Sequence, residues 1–305
     1  MSDLPMMAPS QHPMVVSALA RLASQGGWAR ILAGKPLEGE LDLQDAELLL
    51  AARVLRRTTD DTFEPVGTHP WYFDPVSLAG GMLAQLRRAL RHAEGGVAGW
   101  SADDLEIVVA QGRGSWTAAL ALGDGLLPQM PAAHQVFLDG SATFLDVGVG
   151  IGVVAGKICQ MFPGVTAVGL DVLAPVLDIA RAELEVLGLL ERVELRLQSV
   201  AVLTDVQRYD LAWLPQPFIA RRDLRPGLRA VHASLRRDRW LVAPVTAAPG
   251  DADDFERAVH AHGAYLSGGG LITVDDARAL ITEAGFVDVH DRDFGDQVVM
   301  LGRRP

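Results

Sequence analysis

The sequence predicts an α/β fold: a mostly parallel sheet with intervening helices over residues 141–305, preceded by a mainly α-helical N-terminal domain over residues 1–140. Three observations predict it. From Ala142 onward, short apolar runs alternate regularly with longer amphipathic ones. Before Asp139-Gly140-Ser141, helical periodicities follow one another with irregular connections. The last two apolar runs, near 286–292 and 297–303, have no helix between them, so an antiparallel hairpin closes the sheet.

In the first part, residues 14–32 form an amphipathic helix candidate that stops at Gly34-Lys35-Pro36. Residues 45–56 show strong helical periodicity behind an acidic start. Residues 58–74, with Pro65, Gly67 and Pro70, read as a turn or a small β-wing. Helices are expected over 75–93, 101–111, 115–121 and 130–138, the second begun by the capping residue Ser101 and early acids. In the second part, strands are expected near 143–147, 166–170, 193–197, 209–213 and 239–243, and helices near 152–162, 173–188, 224–236 and 275–284.

The first of these strands carries the most specific signal. Phe144, Leu145 and Val147 make a short apolar strand; Gly148, Gly150 and Gly152 follow at once, and an apolar helix begins at Val153. A second apolar run, 165–170, ends on Asp171. Strand, glycine turn, helix, strand and terminal acid make a βαβ unit suited to a nucleoside. The glycines let backbone approach the ligand, and the acid accepts hydrogen bonds from two ribose hydroxyls. A dinucleotide site carries Gly-x-Gly-x-x-Gly, and here Val153 occupies the third glycine position. Asp146, within the strand end, would repel a pyrophosphate but orient a cationic ligand, directly, through water or through the turn's amides.

This pattern resembles the first motif of the class I S-adenosylmethionine-dependent methyltransferases. The resemblance implies a Rossmann-like seven-stranded sheet ending in an antiparallel hairpin, with S-adenosyl-L-methionine as cofactor. It places the cofactor's amino-acid end on Gly148, Gly150 and Gly152 beside Asp146, its ribose on Asp171, and its adenosine against Val172 and Leu173. Where the family often has an acid after the third strand to bind the adenine amino group, this chain has Gln198-Ser199, either of which can act as a neutral substitute through side chain or backbone. The first part resembles, in outline, the winged-helix-like front domain of small-molecule O-methyltransferases, which implies a homodimer.

Candidate catalytic residues come from the segment that ends the fourth strand: Trp213, Gln216 and Phe218, with core packing as the alternative for the two aromatics. Asp210, early in that strand, reads as structural. The related O-methyltransferases use a His shortly after this strand as base, and residues 214–231 contain none. His232 reads as a surface or packing residue, and His69, His92 and His134 come from the front domain without a feature that selects one. Either the nucleophile needs little deprotonation (an amine, an acidic phenol, an activated carbon or a carboxylate) or the base comes from the front domain. Arg113, in Gln111-Gly112-Arg113-Gly114, pairs with the cofactor carboxylate or is a surface arginine at a helix break. Trp71-Tyr72-Phe73 lines an apolar substrate pocket or staples the front domain, and Ser267-Gly268-Gly269-Gly270 is a lid or a plain connector.

Composition bounds the rest. A net charge of −11 argues against nucleic acid and favours a small-molecule substrate. No apolar run is long enough to span a membrane. The single cysteine, Cys159, and the absence of an export-signal pattern fit a cytoplasmic protein. His260-x-His262 lacks companions for a metal site, and Asp251, Asp253 and Asp254 read as a solvated loop and helix start. Two other functions remain open: a methyltransferase-fold protein that binds the cofactor without methylating, and a nicotinamide-dependent oxidoreductase.

Overall fold

A computed structural model of the chain describes residues 13–66, 75–96, 98–247, 254–294 and 297–305. The Trp71-Tyr72-Phe73 cluster, His69, Asp251 and Asp253 lie outside the described residues. The chain begins with α1 (Pro13–Ser24), α2 (Gly27–Leu32) and α3 (Glu40–Ala51), then a two-stranded antiparallel hairpin, β1 (Leu55–Arg57) with β2 (Phe63–Pro65). One helix was expected over 14–32; the chain instead turns at Gly26, whose φ of +83° is a left-handed conformation open to glycine. The helix expected over 45–56 starts earlier and ends at Ala51, because Arg53 turns the chain at φ +58° and its last apolar residues become β1. Leu19, Leu22, Trp28, Leu49 and Phe63 form the apolar cluster that joins these elements.

Next come α4 (Pro75–Ala93), α5 (Leu105–Gly114), α6 (Trp116–Leu120) and α7 (Pro131–Leu138). The alternating part follows: β3 (Thr143–Val147), α8 (Val153–Met161), β4 (Thr166–Asp171), α9 (Ala174–Val186), β5 (Val193–Leu197), β6 (Tyr209–Trp213), α10 (Arg221–Ser234), β7 (Leu235–Val245), α11 (Asp254–Leu266), α12 (Val274–Glu283), β8 (Val287–Phe294) and β9 (Gln297–Arg303). Strand β7 is longer than expected. Its polar start, Arg236-Arg237-Asp238-Arg239, hides a strand that is irregular there, with Asp238 at φ +57°. The expected series gave α11 no range, although the helix start read near Asp254 is where it begins; its His260-Ala-His262-Gly263 stretch weakens helical propensity.

The seven strands stand in the order β5-β4-β3-β6-β7-β9-β8. All pairs through β7 are parallel, and β9 pairs antiparallel with both β7 and β8. The chain leaves β3 toward β4 and β5 on one side and returns to β6 on the other. The crevice between the carboxyl ends of β3 and β6 is therefore the switch point where open α/β sheets bind ligands.

Both faces of the sheet are covered, as a parallel sheet requires. On one, Phe144, Leu211 and Val242 pack with Ile158 of α8 and Leu184 of α9, and Leu122, Leu127 and Phe137 of the preceding segment join the same cluster. On the other, Leu145, Val168 and Ala212 meet Leu228 and Val231 of α10 and Ile281 of α12. Among the described residues, no helix is long and apolar enough to cross a membrane.

Candidate functional site

Three glycines turn the chain from β3 into α8, and all have positive φ: Gly148 +70°, Gly150 +55° and Gly152 +83°. A side chain there would strain the backbone. A Cβ on Gly148 would meet no heavy atom within 4 Å, so that side of the loop is open to a ligand. The loop is fixed by the next strand: the Gly148 and Val149 amides donate to Leu170 O at 2.8 and 2.9 Å, and Gly150 N donates to Asp171 Oδ2 at 3.0 Å. Asp171 Oδ1 accepts Leu173 N at 3.0 Å. Each carboxylate oxygen keeps a further lone pair for a ribose hydroxyl.

Asp146 is 1% exposed and its Oδ2 accepts Ala155 N at 3.0 Å. Ala155 is the third residue of α8, so the carboxylate occupies the positive end of that helix from inside the protein. In a dinucleotide site the same end faces a pyrophosphate. Burial, opposed by the Ala155 bond and reinforced by the nearby Asp171 charge, pushes the Asp146 carboxyl up to about 7. Burial also raises Asp171. Two acids flank the open glycine turn, and ionisation of either favours a cation over a phosphate there.

Helix α5 closes the loop from the front part. A Cβ on Gly112 would collide with the Ile151 side chain, so helix and loop are in direct contact. Val108 of α5, Ile151 and Val176 of α9 form one apolar cluster, with Trp100 and Leu173 packed against it. Arg113 follows Gly112 on the exposed side of the last turn of α5. On the other flank, Val172 is 61% exposed just after β4, and Leu197 and Val202 are also exposed apolar residues near the carboxyl end of β5. Gln198 lies between them; its Nε2 donates to Val202 O at 3.0 Å, leaving Oε1 as an acceptor. Ser199 caps the short turn that follows, its Oγ accepting Ala201 N.

At the end of β6, Trp213 stands opposite Asp146 in the β3–β6 register and is buried in the core cluster of that face. Phe218 is half-buried, its ring edge-to-face with Trp100 at 5.2 Å.

No family model matches this sequence, and no curated protein matches it. Solved structures do. They include human N-acetylserotonin methyltransferase in complex with S-adenosylmethionine (14% identity, 95% of this chain and 94% of that one, TM-score 0.59). An O-methyltransferase family protein from Burkholderia thailandensis matches at 15% identity, over 95% and 94% of the two chains, with a TM-score of 0.60. The mitomycin 7-O-methyltransferase MmcR matches at 17% identity over 95% and 94%, with a TM-score of 0.56. The chain has the class I methyltransferase fold.

Within that fold, Gln216 changes role. Expected to shape the methyl-transfer zone directly, it is 2% exposed and its amide is engaged within the protein. Nε2 donates to Gly269 O and Gly270 O, each at 3.0 Å, and Oε1 accepts Thr246 N and Thr246 Oγ1 at 3.1 and 2.9 Å. It is a positioning residue that ties the glycine run after α11 to the ends of β6 and β7. That run is thus a pinned segment, and Gly269 N adds a bond to Pro217 O.

Asp210 is structural, as expected: it accepts Thr143 N at 2.9 Å and pairs with Arg239 and Arg236 at the end of the sheet away from the crevice. The described histidines with ring contacts have other neighbours. His134 meets Phe162, His232 meets Phe286, and His92 meets His262 across α4 and α11. Sequence reasoning missed Leu197 and Val202, which only their exposure marks, and Trp100, whose partners are distant in sequence.

Proposed function

We propose that this protein transfers a methyl group from S-adenosylmethionine to a small organic acceptor. One observation carries the reading: a buried carboxylate, Asp146, caps the helix that a dinucleotide site would offer to a pyrophosphate, beside a glycine turn with open space above it. That arrangement suits the cationic amino-acid end of this cofactor and disfavours a nicotinamide dinucleotide. Gly148, Gly150 and Gly152 cradle that end, Asp171 holds the ribose, and Val172 with Gln198 or Ser199 borders the adenine. Arg113 pairs with the cofactor carboxylate. When bound, the cofactor supplies an electrophilic methyl on sulfur. The protein's part is alignment and exclusion of water: Trp213 backs the crevice, Phe218 and Trp100 wall it, and Gln216 holds the covering segment.

The small-molecule substrates named for N-acetylserotonin methyltransferase and MmcR support an acceptor of similar size. In this reading residues 1–140 cap the site and residues 141–305 bind the cofactor. A homodimer belongs to the same reading. A cytoplasmic location fits the single buried thiol, Cys159. The test is incubation with methyl-deuterated S-adenosylmethionine and a panel of phenols, amines, carboxylates and activated carbon acids, read by mass spectrometry. Appearance of a product carrying the labelled methyl is expected. Tight cofactor binding with no turnover across the panel would assign the non-methylating role instead.

A further inference from the structure

Helix α4 carries three arginines near its end, and one of them has no counter-ion among the described residues. Arg87 pairs with Glu106 at 3.4 Å, and Arg91 pairs with Asp104. Arg88, between them in sequence, is 9% exposed and faces the other part of the chain. Its Nη1 donates to Ser267 Oγ at 2.6 Å, and its Cζ lies 4.0 Å from the Trp100 ring centroid. Nε and Nη2 are buried and have no hydrogen-bond partner among the described residues. Burial lowers the guanidinium to about 10.

A buried cation without an anion is costly, and so are buried N–H groups without acceptors. The two unused donors share one edge of the guanidinium, the edge that receives both oxygens of a carboxylate in parallel. The position is also informative. Trp100, on which Arg88 stacks, touches Phe218 at the end of β6 and packs on the cluster that contains Ile151 of the glycine turn and Leu173 after Asp171. Arg88 is therefore one side chain removed from the crevice. The segment that meets Nη1 begins at Ser267 and continues with Gly268, Gly269 and Gly270.

We propose that Arg88 binds the carboxylate of an aromatic acid, whose ring lies beside Trp100 and Phe218; this substrate class rests on the methyl-transfer reading. The paired carboxylate is an anchor. Its lone pairs face the guanidinium, so the atom that takes the methyl group lies elsewhere on the molecule.

The test uses 2-naphthoate and its neutral counterpart 2-naphthamide, titrated calorimetrically into the full-length protein with and without saturating S-adenosylhomocysteine. The wild type is expected to bind the acid at least about tenfold more tightly than the amide. Arg88→Met should abolish that preference, and Arg88→Lys, which keeps the charge and loses the fork, should restore only part of it. Arg88→Met replaces an unpaired cation with an apolar chain, so its Tm should match or exceed the wild-type value and the variant should fold. Equal binding of the two probes, binding of neither, or an unchanged preference in Arg88→Met overturns the proposal. Failure of S-adenosylhomocysteine to bind, with the acid preference intact, would instead overturn the cofactor reading and leave the anion site standing.

Discussion

Oδ2 of the buried Asp146 accepts the amide hydrogen of Ala155 at 3.0 Å, joining the last turn-facing acid of β3 to the first turn of α8. Burial of this carboxyl, opposed by the Ala155 bond, sets a pH dependence. In the unfolded chain the carboxyl titrates near its ordinary value of about 3.9. In the folded protein it titrates at about 7. Between those values the folded state binds a proton that the unfolded state has released. This group's stability contribution is therefore fully present at acid pH and falls as pH rises through about 7. Asp146→Asn removes the titration. Denaturant unfolding of the ligand-free protein at pH 5, 6, 7 and 8 should show a downward slope in wild type that flattens in the variant, with a difference on the order of 1–4 kcal/mol by pH 8. Parallel slopes would show that Asp146 is ionised throughout.

Asp171 bonds two backbone amides, and in the proposed function it holds the ribose. Asp171→Ala should reduce S-adenosylhomocysteine affinity by more than an order of magnitude, the loss of charge-assisted hydrogen bonds worth roughly 1.5–3 kcal/mol each. Calorimetric titration measures this directly, and an unchanged Kd would displace the ribose from this position.

Gly148 separates strain from obstruction. At φ +70°, alanine costs roughly 1–2 kcal/mol of folding free energy. Its Cβ also points into the open space assigned to the ligand. Gly148→Ala should therefore lower the urea midpoint modestly and cofactor affinity severely. A modest loss of stability with normal affinity would mean that the ligand does not approach this face of the turn.

Gln216 predicts a different separation of effects. Gln216→Leu leaves the Gly269 carbonyl and the Thr246 amide without this partner, at about 1–3 kcal/mol for each group that stays buried, while the Gly270 carbonyl keeps Thr246 Oγ1 at 3.3 Å. In the proposed function the segment Gln216 holds covers the acceptor, so KM for the acceptor should rise while cofactor Kd stays within about twofold. A weakened cofactor Kd of the same size would make Gln216 a general structural residue.

The legible part of the fold was the part whose signals are local. Strands β3, β4, β5 and β6 coincide with apolar runs, and the Gly148–Gly152 turn with its acids needs no distant partner to be recognised. The break at Gly26 was lost inside an apolar periodicity that continues across it, and β7 began under three arginines. Gln216 reads from sequence as a residue shaping the active site; its bonds go to Gly269 and Gly270, more than fifty residues away. Arg88 and Trp100 were silent for the same reason, since Ser267 and Phe218 reach them only through the folded chain. Sequence pattern exposes backbone requirements, whereas long-range polar pairing emerges only in three dimensions.

Calorimetric titration of the purified protein with S-adenosylmethionine and, separately, with NADH decides between the two cofactors. Saturable binding of S-adenosylmethionine at one site per chain, lost in Asp171→Ala, is expected, with no binding of NADH at the same concentrations. Preferential binding of NADH would contradict the proposed function, because the Asp146-capped end of α8 would then be accommodating a pyrophosphate.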